Sequence, residues 1–200
     1  MAGLILASAS PQRRAILEQA GIRFTVRPAD VEEETAGDPL AVAEENARRK
    51  AATVAGWLAA EAAGDAGAAS AGSLVLGADT LVAIGGDILG KPRDEAQARE
   101  YVARLAGATH EVVGGIALAE AGRGGGPVTA VVVTTVRFRA AHAALLDWYV
   151  GTGEWRGRAG GYAIQGAGAV LVDGIEGDYL NIVGLPLARL LTLRPDLLPA

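Results

Sequence analysis

Residues 4–17, LILASASPQRRAIL, pass from an apolar segment typical of a short buried strand directly into the start of a helix. Ser10 has a side chain preferred at a helix N-cap, and Pro11 stands at the first helical position, where proline is favoured. Gly21 is a suitable C-terminal stop for that helix. The stretch therefore predicts a strand, a turn and a helix, the opening unit of an α/β fold.

The rest of the chain alternates helical periodicity with paired strand patterns. We predict helices over 39–58, 94–106, 141–150 and 185–193, and strands near 24–26 and over 4–7, 74–76, 81–84, 88–89, 110–120, 128–140 and 162–179, the last with a hairpin. Because helices alternate with hairpins, we expect an α/β fold with a mixed sheet and flanking helices. We expect one domain over 1–200, with a flexible Ala/Gly-rich segment at 59–73 in which the end of a helix frays into a connector.

Composition narrows the class of protein. Of the 200 residues, 50% are apolar and 20% are charged, as in globular proteins. The net charge of −5 disfavours binding to nucleic acids or anionic membranes. The lack of cysteine excludes disulfides and zinc–thiolate sites, and two distant histidines give little support for a histidine metal site. The first residues lack the features of a signal peptide and no run is long enough to span a membrane, so we expect a cytoplasmic protein.

Two arginines stand where a helix disfavours cations. Arg13 and Arg14 fall in the first helical turn, where the helix dipole makes an exposed cation unfavourable by about 0.3–1 kcal/mol. A bound anion would reverse this penalty, because the helix N–H groups, the hydroxyls of Ser8 and Ser10 and both guanidinium groups could contact it. The pattern indicates a phosphate site. Its alternative is a pair of solvated arginines, and spacing alone does not decide between them.

Other charged residues interrupt apolar or acidic runs. Asp79 breaks the apolar run LVLGADTLVAI, where a carboxylate at a strand end could hold a divalent cation, activate a water or serve a tight turn. The run Glu32–Glu34 fits either a site or a solvated loop, and Lys50 and Lys91 are equally ambiguous. The chain has no P-loop pattern, and Ser8 and Ser10 have no nucleophile-elbow setting. His110 is best interpreted as a satisfied structural histidine.

Nine motifs, taken in order, resemble those of the Maf family of nucleoside triphosphate pyrophosphatases over essentially the full chain. They are LILASASPQRR (4–14), ADVEEE (29–34), ENARRKA (45–51), VLGADTLV (75–82), ILGKPRD (88–94), THEVVGG (109–115), VRFR (136–139), YAIQG (162–166) and GDYLNIVGLPL (177–187). The resemblance implies a two-lobed mixed α/β fold, similar to that of inosine triphosphate pyrophosphatases, with a central cleft. It also implies hydrolysis of a nucleoside triphosphate to the monophosphate and pyrophosphate with Mg²⁺ or Mn²⁺.

The resemblance also assigns residues to roles. The matching positions are Ser8, Ser10, Arg13, Glu33, Lys50, Asp79, Lys91 and Gln165. Asp79 matches the catalytic base that activates water, and Glu33 with Asp79 would hold the metal. Arg13, Lys50 and Lys91 would bind phosphate oxygens, the arginine through its bidentate fork.

Three positions bear on the nucleobase. Thr80 and Gln165 match family members that act on dTTP and UTP, in which the Gln165 amide could read a pyrimidine edge. Gln12 departs from that group, which has arginine there, and the SPQRR spacing is that of members acting on 7-methyl-GTP. The pattern favours dTTP and UTP and leaves 7-methyl-GTP or a broad preference as the alternative.

A second class of function remains open at this point. The family's other name, septum formation inhibitor, suggests a nucleotide-binding regulator of cell division that does not turn over its ligand. The full set of polar site residues favours an enzyme, and family analogy favours a homodimer. A nucleic-acid-binding module is disfavoured by the net charge and by the lack of a basic-aromatic stripe.

Overall fold

The computed structural model describes residues 3–63 and 72–198. The strands of the described chain are β1 (Leu4–Leu6), β2 (Phe24–Val26), β3 (Leu74–Ile84), β4 (Asp87–Leu89), β5 (Thr109–Glu120), β6 (Val128–Phe138) and β7 (Val172–Glu176). Its α-helices are α1 (Pro11–Gln19), α2 (Pro39–Ala63), α3 (Glu95–Leu105), α4 (Ala143–Gly151), α5 (Tyr179–Val183) and α6 (Leu187–Leu193). Within these residues, no helix is both long and apolar enough to cross a membrane.

The strands form one mixed sheet. Its order is β2-β1-β3-β5-β6-β7, with β4 paired to β3 off this path. β1 is parallel to β2 and β3, whereas β3, β5, β6 and β7 pair antiparallel. The expected α/β fold with a mixed sheet and flanking helices is therefore confirmed.

The two largest hydrophobic clusters of the described chain divide it into two lobes along the central strands β3 and β5. The α1 lobe packs β1, α1 and α6 on the sheet and includes Ala78 and Ile116. The α3–α4 lobe packs α3 and α4 on the sheet and includes Val82 and Val112. β3 and β5 run through both lobes, and Asp79 lies on β3 at the boundary between them. The implied two-lobed arrangement is what the structure has.

Strand β3 corrects one prediction. We expected separate strands over 74–76 and 81–84 with Asp79 at a strand end, but β3 is continuous from Leu74 to Ile84. Aspartate is disfavoured in strands, yet this carboxylate is paired with Lys50 and Asn46 of α2. A tertiary contact thus overrides the local preference, because a buried carboxylate with partners is tolerated where a lone one is not.

The C-terminal third differs from its prediction. In place of a strand and hairpin over 162–179, short 3-10 turns form at Ala159–Gly161 and Ala167–Leu171, and β7 follows. Asp178 then caps α5, which the periodicity missed because one-turn apolar segments carry too few residues to show a period. The final helix begins at Leu187 and not at 185.

Helix α2 continues past residue 58 to Ala63, so the helix end expected at the start of the 59–73 segment occupies its first five residues. Residues 64–71 of that segment lie outside the described residues.

Glycines let α2 lie directly on the sheet. A Cβ at Gly77 would stand 2.2 Å from the Ala47 carbonyl oxygen, and one at Gly115 would stand 2.1 Å from that of Ala43. Ala43, Ala47 and Ala51 are spaced four residues apart and fully buried, so a stripe of small residues faces these glycines. This close approach brings Asn46 and Lys50, each one residue before a buried alanine, within reach of Asp79 on β3.

We expect Gly77→Ala to lower the free energy of unfolding by about 1–3 kcal/mol, because the new methyl group collides with backbone that cannot move aside cheaply. Gly56→Ala is the matched control: Gly56 lies in α2 with open space around its Cβ position, and alanine there should raise stability by about 0.5–1 kcal/mol. Urea unfolding monitored by circular dichroism measures both. Equal effects of the two substitutions would contradict the packing argument.

His110 is buried in an aromatic cluster of the α3–α4 lobe. Its Nε2 lies 2.9 Å from the Tyr162 hydroxyl, and its ring meets those of Phe138 and Tyr162 edge-on. Its Nδ1 has no partner within residues 3–63 and 72–198, so the histidine is structural but only half satisfied. Burial lowers the pKa of His110 from 6.5 to about 4.

This pKa shift predicts acid sensitivity of the fold. Between pH 6.5 and pH 4, His110 is protonated in the unfolded chain but neutral in the folded protein. The free energy of unfolding therefore decreases as the pH falls through this window. We expect His110 to lower the free energy of unfolding by about 2 kcal/mol between pH 7 and pH 5. In urea titrations, His110→Gln should remove this pH-dependent loss of unfolding free energy. His142→Asn, a substitution at the exposed N-cap of α4, should leave the loss unchanged. An unchanged pH dependence in His110→Gln would contradict the assignment.

Candidate active site

A cleft of about 800 Å³ lies between the two lobes. It is bounded by the turn from β1 into α1, the middle of β3, the segment after β4 and the loop that leads to Gln165. Ten of the predicted site residues line it: Ser8, Ser10, Gln12, Arg13, Glu33, Lys50, Asp79, Thr80, Lys91 and Gln165. The fold thus brings together residues that are up to 157 positions apart in sequence.

The N-terminus of α1 opens into this cleft. Ser10 is its N-cap and accepts a hydrogen bond from the Arg13 backbone N–H at 3.5 Å, and Pro11 follows it. The Ser10 hydroxyl donates to the Gln12 side-chain oxygen at 3.0 Å, and the Ser10 backbone N–H donates to the Ser8 hydroxyl at 3.3 Å. The first turn of α1 carries no acidic residue, so its positive end has no local counter-charge.

Arg13 is buried at the wall of the cleft with neutral hydrogen-bond partners. It donates from Nε to the Gly184 carbonyl at 2.9 Å and from its terminal nitrogens to Ser8 Oγ at 2.8 Å and Thr80 Oγ1 at 3.2 Å. Burial lowers its pKa, and the charges of Asp79 and Glu33 oppose that shift. Because no described carboxylate is hydrogen-bonded to it, its charge remains available to an anion in the cleft.

Arg14 is the one predicted site residue that does not line the cleft. Its side chain is exposed. Successive residues of a helix point about 100° apart, so the turn that buries Arg13 directs Arg14 to solvent. The structure therefore lends no support to the predicted phosphate contact of Arg14.

Asp79 and Lys50 form a buried ion pair on the cleft floor, and the exposed carboxylate of Glu33 joins it from the solvent side. The Lys50 ammonium donates to Asp79 Oδ1 at 2.8 Å and to the Ala78 carbonyl at 3.3 Å, and it lies 2.5 Å from Glu33 Oε1. Asn46 Nδ2 donates to the other Asp79 oxygen at 2.9 Å. Both oxygens of the carboxylate are thus held from α2, which fixes its orientation towards the cleft.

The donor set bears on the implied metal. Among the described residues, no three Asp, Glu, His or Cys side chains are grouped as a metal cage. Glu33 and Asp79 both pair with the Lys50 ammonium, so the two carboxylates lie close together at the cleft floor, with Lys50 Nζ between them. Mg²⁺ is commonly held by one or two carboxylates together with substrate phosphates and water. The residues therefore fit a cation bound jointly with a polyphosphate substrate.

Two residues of the site were missed from the sequence. Asn46 stands four residues before Lys50, and this spacing on one helix face could have linked it to Asp79. Arg158 lines the cleft from a glycine-rich loop that is not preceded by a strand and matches no phosphate-binding pattern. Nothing in its local sequence marks Arg158.

Comparisons with known proteins show which family the sequence matches. The family model described as Maf-like protein matches residues 3–195. A relative named dTTP/UTP pyrophosphatase from Myxococcus xanthus (strain DK1622) is 45% identical over 190 residues, covering 95% of this chain and 90% of the relative. One of the same name from Pyrococcus furiosus (strain ATCC 43587 / DSM 3638 / JCM 8422 / Vc1) is 40% identical over 195 residues, covering 96% of this chain and 94% of the relative.

A solved structure shares the fold. The structure of a HAM1 protein from Coxiella burnetii superposes with a TM-score of 0.54 at 17% identity, covering 98% of this chain and 100% of that one. At this identity the likeness concerns the fold alone.

Proposed function

The chain belongs to the Maf-like protein family, and we propose on this basis that it hydrolyses a nucleoside triphosphate to the nucleoside monophosphate and pyrophosphate. The observation that carries the proposal is the meeting of two features in one cleft: a buried arginine whose charge has no carboxylate partner among the described residues, and an oriented buried aspartate. The first suits a phosphate group, and the second suits a water molecule beside it.

The triphosphate is bound from the α1 lobe and from the segment after β4. Arg13, Ser8, Ser10 and the N-terminus of α1 contact phosphate oxygens, and Lys91 contacts them from the other lobe. Cations around the phosphates neutralise the charge that develops when the phosphorus is attacked.

Asp79 acts on the attacking water. It accepts the water proton while the water oxygen bonds to the α-phosphorus and the bond from that phosphorus to the bridging oxygen breaks, which releases pyrophosphate. Lys50 and Asn46 hold the carboxylate in the orientation needed for this transfer. Glu33 and Asp79 would hold a divalent cation, Mg²⁺ or Mn²⁺, which supplies further charge neutralisation at the triphosphate.

We infer dTTP and UTP as the preferred substrates. The names of the relatives at 40–45% identity support this, as do Thr80 and Gln165. Thr80 Oγ1 accepts from Arg13 and donates to the Gly184 carbonyl, whereas Gln165 is exposed in the cleft and available to a base. Gln12 keeps 7-methyl-GTP and a broad preference as the second candidate.

A cytoplasmic location, a single domain over 1–200 and a homodimer stay predictions.

Pyrophosphate release from a panel of canonical and modified nucleoside triphosphates tests the proposal. With Mg²⁺ present we expect dTTP and UTP to be hydrolysed faster than the others by about tenfold or more in kcat/KM. A preference for 7-methyl-GTP would show that the region around Gln12 decides the substrate. Nucleotide binding without pyrophosphate release would contradict the enzyme and support a nucleotide-sensing regulator. The Asp79→Asn protein, purified identically, controls for contaminating phosphatases.

A further inference from the structure

Arg158 is held against the same wall of the cleft as Lys91. The loop Gly157–Gly161 is tied to that wall by a hydrogen bond from the Gly160 N–H to the Gly90 carbonyl at 3.1 Å. Gly160 has a φ of +67°, and a Cβ there would stand 2.8 Å from the Val82 side chain. The backbone around Arg158 therefore rests on the α3–α4 lobe and presents the arginine to the cleft at a fixed place.

The Arg158 side chain has no partner that explains its position. Across the described ranges 3–63 and 72–198, it makes no ion pair or hydrogen bond, and its Nε is a buried donor without an acceptor. Buried donors are nearly always paired, so an unpaired one calls for an explanation. Arg156, two residues earlier, is exposed and lies over the Trp155 ring at 4.6 Å, and it does not line the cleft.

The charges of the cleft show where uncommitted cations lie. Lys50 is paired with Asp79 and Glu33, and Arg13 is held by neutral acceptors. Lys91 and Arg158 have no carboxylate partner in the part of the chain that the structure describes. Two cations of the α3–α4 lobe thus line the same cleft as Arg13 of the α1 lobe, an arrangement suited to a ligand with several negative groups.

We propose that Arg158 is a substrate-binding residue that contacts phosphate oxygens of the nucleotide from the α3–α4 lobe. The proposal rests on the proposed function, in that the ligand is taken to be a nucleoside triphosphate. An arginine suits the task because its planar fork can donate two parallel hydrogen bonds to one phosphate group. The substrate then accepts from the terminal nitrogens of Arg158, which make no hydrogen bond within residues 3–63 and 72–198 and are not buried as Nε is.

Arg158→Met and Arg158→Lys test the proposal, with Arg156→Met as the matched control. We expect kcat/KM for dTTP and UTP to fall by about 10- to 50-fold in Arg158→Met and by a smaller factor in Arg158→Lys, which keeps the charge but not the fork. The inhibition constant of inorganic tripolyphosphate should rise in parallel, whereas thymidine inhibition should not change. Arg156→Met should stay within twofold of wild type in every assay.

Binding measurements separate this proposal from the proposed function. Isothermal titration with α,β-methylene dTTP or UTP requires no turnover, and the dissociation constant should rise by the same factor in Arg158→Met. Wild type that binds the analogue but releases no pyrophosphate would contradict the proposed function and leave the Arg158 comparison intact. Arg158→Met within twofold of wild type in analogue binding, with an unaltered melting curve, would overturn the proposal. If the melting temperature of Arg158→Met is lower than that of wild type, Arg158→Lys replaces it in the binding measurements. Wild-type affinity of Arg158→Lys for both the analogue and tripolyphosphate would then overturn the proposal.

Discussion

Asp79→Asn is expected to lower kcat for pyrophosphate release by about 10²–10⁴-fold. The substitution keeps the size of the side chain and its hydrogen bond from Asn46, but an amide cannot take a proton from water. Its amide nitrogen would also face the Lys50 ammonium, 2.8 Å away in the native protein, so the orientation of the group is disturbed as well. The change should appear in kcat more than in KM, because proton transfer belongs to the transition state.

Asp87→Asn is the control for this prediction. Asp87 is the exposed first residue of β4, where it pairs with Arg104, and it does not line the cleft. The rate of pyrophosphate release by Asp87→Asn should equal that of wild type. Mg²⁺-dependent turnover at the wild-type rate in Asp79→Asn would rule out the role of Asp79 as general base. Urea unfolding of each variant shows whether the enzyme remains folded at the assay temperature.

Arg13→Met is expected to lower kcat/KM by about 10²-fold. Arg13 is a buried cation whose three hydrogen bonds go to a carbonyl and two hydroxyls, so its charge is not cancelled by a bonded carboxylate among the described residues. Its loss removes positive charge from the wall nearest the N-terminus of α1 and should weaken inorganic tripolyphosphate as a competitive inhibitor too.

Arg14→Met provides the closest available control. The two arginines are adjacent in sequence and in the same helical turn, yet Arg14 is exposed and stands outside the cleft. Its substitution should leave kcat/KM within about twofold, as expected for an exposed charge in high dielectric. A loss in Arg14→Met equal to that in Arg13→Met would mean that long-range charge, and not contact, explains the effect.

The fold shows where local patterns suffice and where they fail. Helix α3 was predicted closely because Asp94 caps it and its apolar positions repeat over three turns. The break expected in β3 was wrong because strand propensity cannot register a lysine and an asparagine that arrive from α2, about 30 positions earlier. The close packing of α2 against Gly77 and Gly115 was not predicted either, since it depends on backbone distances between elements.

The candidate site divides in the same way. Local chemistry was enough to locate the α1 cap, the misplaced cations of its first turn and the unusual carboxylate of the 74–84 run, because these signals lie within a few residues of each other. Only the folded chain separates buried Arg13 from exposed Arg14, joins Asp79 to Lys50, Asn46 and Glu33, and brings Arg158 to the cleft. Side-chain direction, burial and charge pairing arise from contacts between distant segments, and those contacts exist only once the sheet and its helices have packed.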